Sequence, residues 1–419
     1  MTQTLSSETL KRAAQDFPVT ALPVIEQFVL FVGEEVWSAR IAEIIGRAAA
    51  SNRCGAVFKQ RHALELAIER MRGRAPDGTR AAERATPTVA EQRLGAILAE
   101  LVGTTGTLSP VGLERLRAHL AAALSGEGRL VDLLHLFRTA ALHRERGFDV
   151  FHAGLEEAAP YDLVLRREDA EVECICHTVS AEAGRDIHRL AWASFCDRIE
   201  AQMKPWIEAR PGRYLLKITF ARGLRDQDAA QLDALQARVL AMLDSGARLD
   251  QDEAAVFRIE PLVLGGNNAA IDGLMTRLRQ EFGPEAHLSL SACADGVWAM
   301  AARAGKRNAV AETVRGALDG LAPARVSGTR PAILALFIED MDRPEWRMLM
   351  DSLELEGAAR QYMTSDAAAH VVAVTCYSRM EMFGLSGPDA AAEGELRFRN
   401  QAHPAAKISA LAPAIQSSL

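Results

Sequence analysis

The chain has 419 residues, a length that predicts two or three domains, and a net charge of −7. Hydrophobic residues make up 49% of it and charged residues 25%, which excludes a chain that is disordered as a whole. The acidic balance argues against a strongly basic nucleic-acid coat protein, although it is compatible with a local basic groove.

The sequence predicts that residues 1–127 form an all-helical region without a β-sheet of consequence. Ser109 followed by Pro110 is typical of an N-cap and the first helical residue. Residues 72–88 are rich in Gly, Pro and Arg and are predicted to form an exposed loop. Helices with regular apolar spacing are predicted at 22–50, 56–72, 89–102 and 110–124.

From residue 128 onward, strand-like segments are interspersed with helical ones, which predicts an α/β fold with an at least partly parallel sheet. Strands are predicted at 148–152, 161–167, 171–178, 214–220, 255–264, 287–292, 331–338 and 370–376. Helices are predicted at 130–146, 184–203, 226–243, 269–282, 308–321 and 344–355. These patterns divide the chain into an N-terminal helical region, a central core, a C-terminal α/β extension and a low-pattern tail, at 1–127, 128–204, 205–387 and 388–419. Whether the extension continues the sheet of the core is open at this stage.

The sequence predicts a cytoplasmic protein. Residues 1–16 lack the basic start and apolar run of a signal peptide. The apolar stretch 22–32 is short and is interrupted by Glu26, so it is not expected to span a bilayer. Most of the six cysteines stand in apolar surroundings, as reduced and buried thiols do.

Two carboxylates on neighbouring predicted strands are the most informative feature of the sequence. Asp162 begins one strand and Glu173 lies in the next, with a polar turn at 168–169 between them. If the strands pair, the two side chains are expected on one face, near enough to share a metal ion. Alternation assigns one face of the second strand to Glu171, Glu173, Ile175 and His177, and the other face to Val172, Cys174 and Cys176.

Carboxylates that converge on one sheet face repel each other unless a cation lies between them. A divalent ion such as Mg²⁺ or Mn²⁺ takes oxygen ligands and can activate water for attack on a phosphodiester. In this interpretation Asp162 and Glu173 are the metal ligands. The alternative is an ordinary half-exposed hairpin whose polar face meets water.

The order of these residues resembles that of the PD-(D/E)XK, or restriction-endonuclease-like, nuclease superfamily. In that family a helix precedes a strand meander, an Asp starts the second strand, and a Glu-x-Lys motif lies on the third. The resemblance implies a nuclease-like mixed sheet core, a divalent metal, and nucleic acid as the partner, in bacterial defence, repair or mobile-element biology. The matching segments are the helix 130–147 with Phe148-Asp149-Val150, Pro160-Tyr161-Asp162, Val172-Glu173-Cys174, Thr178-Val179-Ser180, Gly184-Arg185 and Ile187-His188-Arg189.

The sequence departs from the family pattern where the Lys is expected. Ile175 occupies that position, and no lysine occurs in 149–202. An isoleucine cannot orient water or stabilise charge that builds up on a phosphate. His177, on the same strand face, is the candidate for an auxiliary catalytic group, or else a strand-end histidine bonded to backbone. The early helix acid of the family has no firm match, and Asp132 and His135 stand near its place.

A zinc site is a further alternative for the same segment. Cys174, Cys176 and His177 are close in sequence, and Cys196 is the nearest further ligand. No second Cys/His cluster with zinc-ligand spacing occurs nearby, which argues against this alternative.

The leading functional hypothesis is a metal-dependent nuclease of weak or degenerate activity, with Asp162, Glu173 and His177 as its catalytic residues. The alternative is a non-catalytic binding or assembly module that retains the nuclease fold, which Ile175 and the acidic net charge favour. A third possibility is an unrelated α/β protein with a fortuitous hairpin. Three arginines are predicted on the helix after the motif, where they either contact phosphates or face solvent: Arg185, Arg189 and Arg198.

Overall fold

The structure is a computed structural model of the chain. It describes residues 23–73, 89–225, 229–263, 271–293, 296–341, 343–378 and 395–417. Within these ranges the fold is mixed α/β, with two mixed sheets and fifteen α-helices. None of the helices in this described part is both long enough and apolar enough to cross a membrane.

Helices precede the first strand, as their apolar spacing predicts. Ser109 accepts a hydrogen bond from the Gly112 amide, which confirms the predicted N-cap. The predicted helix 22–50 is instead two helices, because Gly33 turns the chain between them at a φ of +102°. These helices are α1 (Val24–Val32), α2 (Glu34–Ala49), α3 (Arg53–Arg61), α4 (Ala63–Arg72), α5 (Val89–Thr105), α6 (Pro110–Ser125) and α7 (Leu130–Glu145).

No strand occurs in 23–73 or in the described residues from 89 to 127. The predicted exposed loop 72–88 falls almost entirely outside the described residues. The later helices are α8 (Ala153–Glu157), α9 (Arg189–Ala209), α10 (Ala229–Ser245), α11 (Ile271–Phe282), α12 (Val310–Arg325), α13 (Arg343–Asp351), α14 (Glu354–Met363) and α15 (Ala412–Ile415).

Eleven strands are described. In chain order they are β1 (Asp149–Phe151), β2 (Leu163–Arg167), β3 (Ala170–Ser180), β4 (Gly212–Phe220), β5 (Leu249–Gln251), β6 (Ala255–Pro261), β7 (His287–Cys293), β8 (Gly296–Ala304), β9 (Ala332–Glu339), β10 (Val371–Ser378) and β11 (Leu396–Arg399). The first sheet has the spatial order β1-β2-β3-β9-β10-β11, and the second has the order β5-β6-β4-β8-β7.

The first sheet combines an antiparallel meander with a parallel centre. Strands β1, β2 and β3 are antiparallel to one another, whereas β3, β9 and β10 are parallel, and β11 closes the edge in antiparallel pairing. Every residue of β9 and of β10 is buried, as expected of parallel strands that have helices on both faces.

The second sheet is built by residues between β3 and β9. Within the predicted extension 205–387, the strands of 212–304 form the second sheet, whereas β9 and β10 belong to the first. Parallel pairing requires a long crossover connection, and here that connection contains a whole sheet. The predicted low-pattern tail 388–419 contributes β11, whose Phe398 is buried.

Two apolar clusters cover the two faces of the first sheet. On one face, Cys174 packs with residues of α7 and of the helices that precede it. On the other face, Ile175 packs with residues of α12 and α14, such as Val314 and Leu355. Because neighbouring residues of β3 enter different clusters, both faces of this strand are committed to the core.

Strand β8 was not predicted from the sequence. Its sequence is a run of Ala, Met and Trp residues with few β-branched side chains, and it lies between β4 and β7 in the second sheet. A strand that is covered on both faces shows no alternation, so periodicity does not reveal it.

Candidate functional site

Asp162 and Glu173 lie on one face of the β2–β3 hairpin, as the alternation predicts. Leu163 pairs with Cys174 across the antiparallel ladder, so the register places Asp162 opposite Ile175. Side chains opposite each other point to the same face, and Glu173 shares the face of Ile175 by the two-residue period. The two carboxylates are therefore diagonal neighbours, a relation in which Cβ atoms stand about 7 Å apart.

The carboxylate of Asp162 is held by an arginine and a backbone amide. Nη2 of Arg325 donates to Oδ1 at 2.9 Å, and the Cys176 amide donates to Oδ2 at 2.7 Å. Arg325 also donates to the carbonyl oxygens of Pro160, at 2.6 Å, and Cys176, at 3.2 Å. Burial raises the pKa of Asp162 above its ordinary value, and Arg325 and the Cys176 amide oppose that rise.

The carboxylate of Glu173 is held by the loop that leads into β9. The Ser327 amide donates to Oε2 at 3.1 Å, and the Ser327 hydroxyl donates to Oε1. Nη1 of Arg330 lies 3.7 Å from the same Oε1. The side chain of Glu173 is 0% exposed, so these groups take the place of water.

Arg330 also joins the outer acid of the same strand face. Its Nε donates to Oε2 of Glu171 at 2.7 Å, and Arg166 donates to Oε1 of Glu171 at 2.8 Å. We call the six charged side chains of this region the carboxylate cluster. It contains three acids and three arginines: Asp162, Glu171, Glu173, Arg166, Arg325 and Arg330.

Ile175, at the position expected for the catalytic lysine, is fully buried. It belongs to the apolar cluster that includes Val314 and Leu318 of α12. His177, two residues further along β3, is half-buried. Burial and the nearby Arg325 lower the pKa of His177, an effect that the charges of Asp132 and Asp162 oppose.

The sequence did not reveal Arg325, Ser327 and Arg330 as members of this site. Arg325 is the last residue of α12, and the other two lie in the turn before β9, where Gly328 adopts a φ of +76°. The parallel register brings this turn to the start of β3, because Glu173 pairs with Ala332. Only the sheet order could have identified these residues, since no local spacing links them to Glu173.

The carboxylates of Asp162 and Glu173 are not free to bind a hydrated magnesium or manganese ion. Such an ion takes six oxygen ligands and usually keeps several waters. Here each of the four carboxylate oxygens already accepts a hydrogen bond from a protein donor. Within the described residues, no group of three or more His, Cys, Asp and Glu is arranged to hold a metal ion.

The residues of the zinc alternative are also dispersed. Cys174 faces the cluster that α7 covers, whereas Cys196 belongs to the core of the second sheet. The neighbouring Cys176 thiol and burial together raise the pKa of the Cys174 thiol well above its ordinary value, which disfavours the thiolate that zinc requires.

Arg185 and Arg189 have a structural role rather than a solvated one. Arg185 precedes α9 and is 2% exposed, and it forms ion pairs with Glu182 and Glu345. Arg189, the first residue of α9, lies 3.5 Å from the Glu345 carboxylate. Arg198 pairs with Asp233 of α10. The expectation of a solvated helix face is therefore wrong for Arg185, which links the start of α9 to α13.

Comparison with known proteins gives no relative. No family model matches the chain, no curated protein matches it, and no solved structure matches it.

Proposed function

We propose that the chain is a non-catalytic binding or assembly module built on a nuclease-like core. The element order supports this core: α7 precedes the β1–β2–β3 meander, Asp162 immediately precedes β2, and Glu173 lies in β3. That is the order the PD-(D/E)XK resemblance implies. Nucleic acid is the partner class that follows from the same resemblance.

The observation that carries the proposal is the set of protein donors on the two acids. A nuclease of this type needs carboxylate oxygens that are open to a metal ion and to water. In this protein Arg325 and Ser327 occupy the oxygens that the metal would take. A guanidinium stays protonated, so Arg325 cannot act as a general base, and its Nη2 donates to Asp162.

The test is degradation of labelled DNA and RNA in the presence of Mg²⁺ or Mn²⁺, together with a calorimetric titration of each metal. We expect no cleavage above a buffer control and no metal binding that depends on Glu173. The Glu173→Ala variant and the matched Glu171→Ala variant should behave alike in both measurements. Cleavage by the wild type that disappears in Glu173→Ala but persists in Glu171→Ala would refute the proposal.

A catalytic alternative depends on His177. This side chain is half-buried, and the charges of Asp132 and Asp162 act on it. If the wild type cleaves nucleic acid and His177→Ala abolishes cleavage, His177 has assumed the role of the missing lysine. Fluorescence anisotropy with DNA and RNA oligonucleotides then measures binding separately from cleavage.

A further inference from the structure

A cavity of about 420 Å³ lies in the second-sheet region, outside the carboxylate cluster. Its wall is formed by the end of β8 with the turn that follows, by the turn between α11 and β7, and by Met348 of α13. We call it the basic cavity. The charged and titratable side chains that line it are Glu285, His287, Arg303, Lys306 and Arg307.

The cations at the basic cavity outnumber the acids. Arg303, Lys306 and Arg307 are exposed at its rim, and Arg307, which is 83% exposed, lies 3.9 Å from the carboxylate of Glu354 outside the lining. Within the described residues, Lys306 has no hydrogen-bond or ion-pair partner. Among the described lining residues Glu285 is the only carboxylate, and it accepts a hydrogen bond from the Asn308 amide at 3.3 Å. A cleft that is lined by charges of one sign raises the local concentration of the opposite ion.

The electrostatic potential at His287 is positive, as expected from the excess of cations at the cavity. Burial lowers the pKa of His287 to about 3, and the charges of Arg185, Arg189 and Arg279 contribute to this lowering. The acids that pair with Arg185, Glu182 and Glu345, do not reverse the effect at the imidazole. An anion in the cavity would find a neutral imidazole and a positive potential.

The rim is held in place before any ligand binds. Nη1 of Arg279 donates to the carbonyl oxygens of Pro284, at 3.0 Å, and Ala286, at 2.5 Å. Arg303 donates to the carbonyl oxygen of Phe282, and its guanidinium lies 5.5 Å from the centre of the Phe282 aromatic ring. These contacts fix the turn between α11 and β7 and hold Arg303, so this part of the rim needs little ordering on binding.

We propose that the basic cavity binds the phosphate group of a small phosphorylated molecule. Lysine and arginine donors suit a doubly charged oxyanion, whose hydrogen bonds to cations are stronger than those of neutral pairs. The volume is in the lower part of the range for small-molecule pockets, which favours a phosphate ester over a macromolecule. This proposal uses none of the residues of the carboxylate cluster, so it stands or fails independently of the proposed function.

The experiment measures binding of inorganic phosphate and of AMP to the full chain by calorimetry, at constant ionic strength set with sodium chloride. We expect saturable binding of AMP, weakened roughly tenfold in Lys306→Gln, because one charge-assisted hydrogen bond is lost. Lys59→Gln, an exposed lysine on α3, is the matched control and should bind as the wild type does. Lys306 is exposed and makes no described contact, so its variant is expected to fold.

A second readout follows the His287 imidazole by NMR. Bound phosphate should raise the pKa of His287, because the anion offsets the surrounding cations. Equal affinity in Lys306→Gln and the wild type, or no binding of AMP and phosphate beyond that of chloride, would overturn the proposal. Binding of DNA or RNA oligonucleotides that Lys306→Gln weakens and that AMP does not displace would also overturn it, in favour of a nucleic-acid surface at the cavity.

Discussion

The carboxylate cluster of the first sheet and the basic cavity of the second-sheet region are both charged, but their charges are balanced differently. In the carboxylate cluster three acids meet three arginines, and Glu173 is completely buried. At the basic cavity three surface cations meet two carboxylates, Glu285 in the described lining and Glu354, which lies 3.9 Å from Arg307. Charges that are buried need partners to offset lost hydration, whereas exposed charges can remain without them and attract a ligand.

The difference shows that residue type alone does not identify a binding site. Asp162 and Glu173 have the identity and spacing of metal ligands, yet their oxygens are engaged by Arg325 and Ser327. Lys306 belongs to no motif, yet it is exposed and without a partner in the described part of the chain. The state of a group's partners therefore distinguishes a structural ion pair from a site open to ligand.

The largest expected effect is that of Ile175→Lys, which introduces a lysine at the third position of the Glu173-x-x segment. We predict that this variant is destabilised by about 3–5 kcal/mol, the range for an uncompensated buried charge. The reason is that Ile175 is 0% exposed in an apolar cluster, and the acid opposite it, Asp162, is already paired with Arg325. The measurement is urea-induced unfolding of the variant and the wild type.

Ile175→Val is the matched control for this experiment. It removes one methylene group and should cost about 0.5–1.5 kcal/mol. A lysine variant as stable as Ile175→Val that also cleaves DNA with Mg²⁺ would show that the carboxylate cluster is a latent active site. The description of the carboxylate cluster as a set of structural ion pairs would then be wrong.

Acid should weaken the first-sheet region through its buried histidines. Burial lowers the pKa of His135 and of His152 to about 4. The unfolded state then binds more protons than the folded state below pH 6.5, so stability is lost as the pH falls from 6.5 toward 4. Between pH 7.5 and pH 5 each histidine should cost about 2 kcal/mol.

The His135→Gln variant tests how much of this pH-dependent loss of stability comes from His135. Gln can keep the hydrogen bond that Nε2 makes to the Ala335 carbonyl oxygen, at 3.0 Å, but it does not titrate. Denaturant unfolding at pH 7.5 and pH 5 should therefore show a smaller pH dependence than in the wild type. The exposed His119→Gln is the control, and an equal reduction in both variants would contradict the assignment.

A smaller effect is expected from Glu173→Gln. The amide keeps the shape of the side chain but loses the charge that strengthens its bonds to Ser327 and Arg330. We predict a loss of about 2 kcal/mol in the free energy of unfolding, as for a hydrogen bond to a charged group. Glu171→Gln, on the same strand face but 38% exposed, should lose less than about 1 kcal/mol. Equal losses would mean that burial does not distinguish the two acids.

The sequence predicted those parts of the fold whose signals are local. The helix after Ser109 follows from a capping residue and a proline, and the β2–β3 hairpin follows from alternation around a polar turn. In that turn Glu168 adopts a positive φ of 55°, as a two-residue hairpin loop requires. These features depend on a few neighbouring residues, so a single sequence is sufficient to find them.

The remaining features depend on pairing between distant segments. Arg325 reaches Asp162 across more than a hundred residues, because β9 joins β3 only after the second sheet has been completed. The burial of Arg185 likewise requires Glu345 from α13. Neither contact leaves a periodic signal, and for this reason the candidate site was predicted as two open carboxylates rather than as ion pairs.

The smallest expected effect on stability belongs to Lys306→Gln, and it contrasts with Glu173→Gln. An exposed lysine that makes no described contact should change the free energy of unfolding by no more than about 0.5 kcal/mol.

A bound ligand stabilises the folded state by mass action, by about 1.4 kcal/mol when its concentration is ten times the dissociation constant. AMP at that concentration should therefore raise the unfolding free energy of the wild type and of Lys59→Gln. Lys306→Gln, with its weaker affinity, should gain only a few tenths of a kcal/mol. A large loss of stability in Lys306→Gln without ligand would show that this lysine is structural, and the basic cavity would then resemble the carboxylate cluster rather than differ from it.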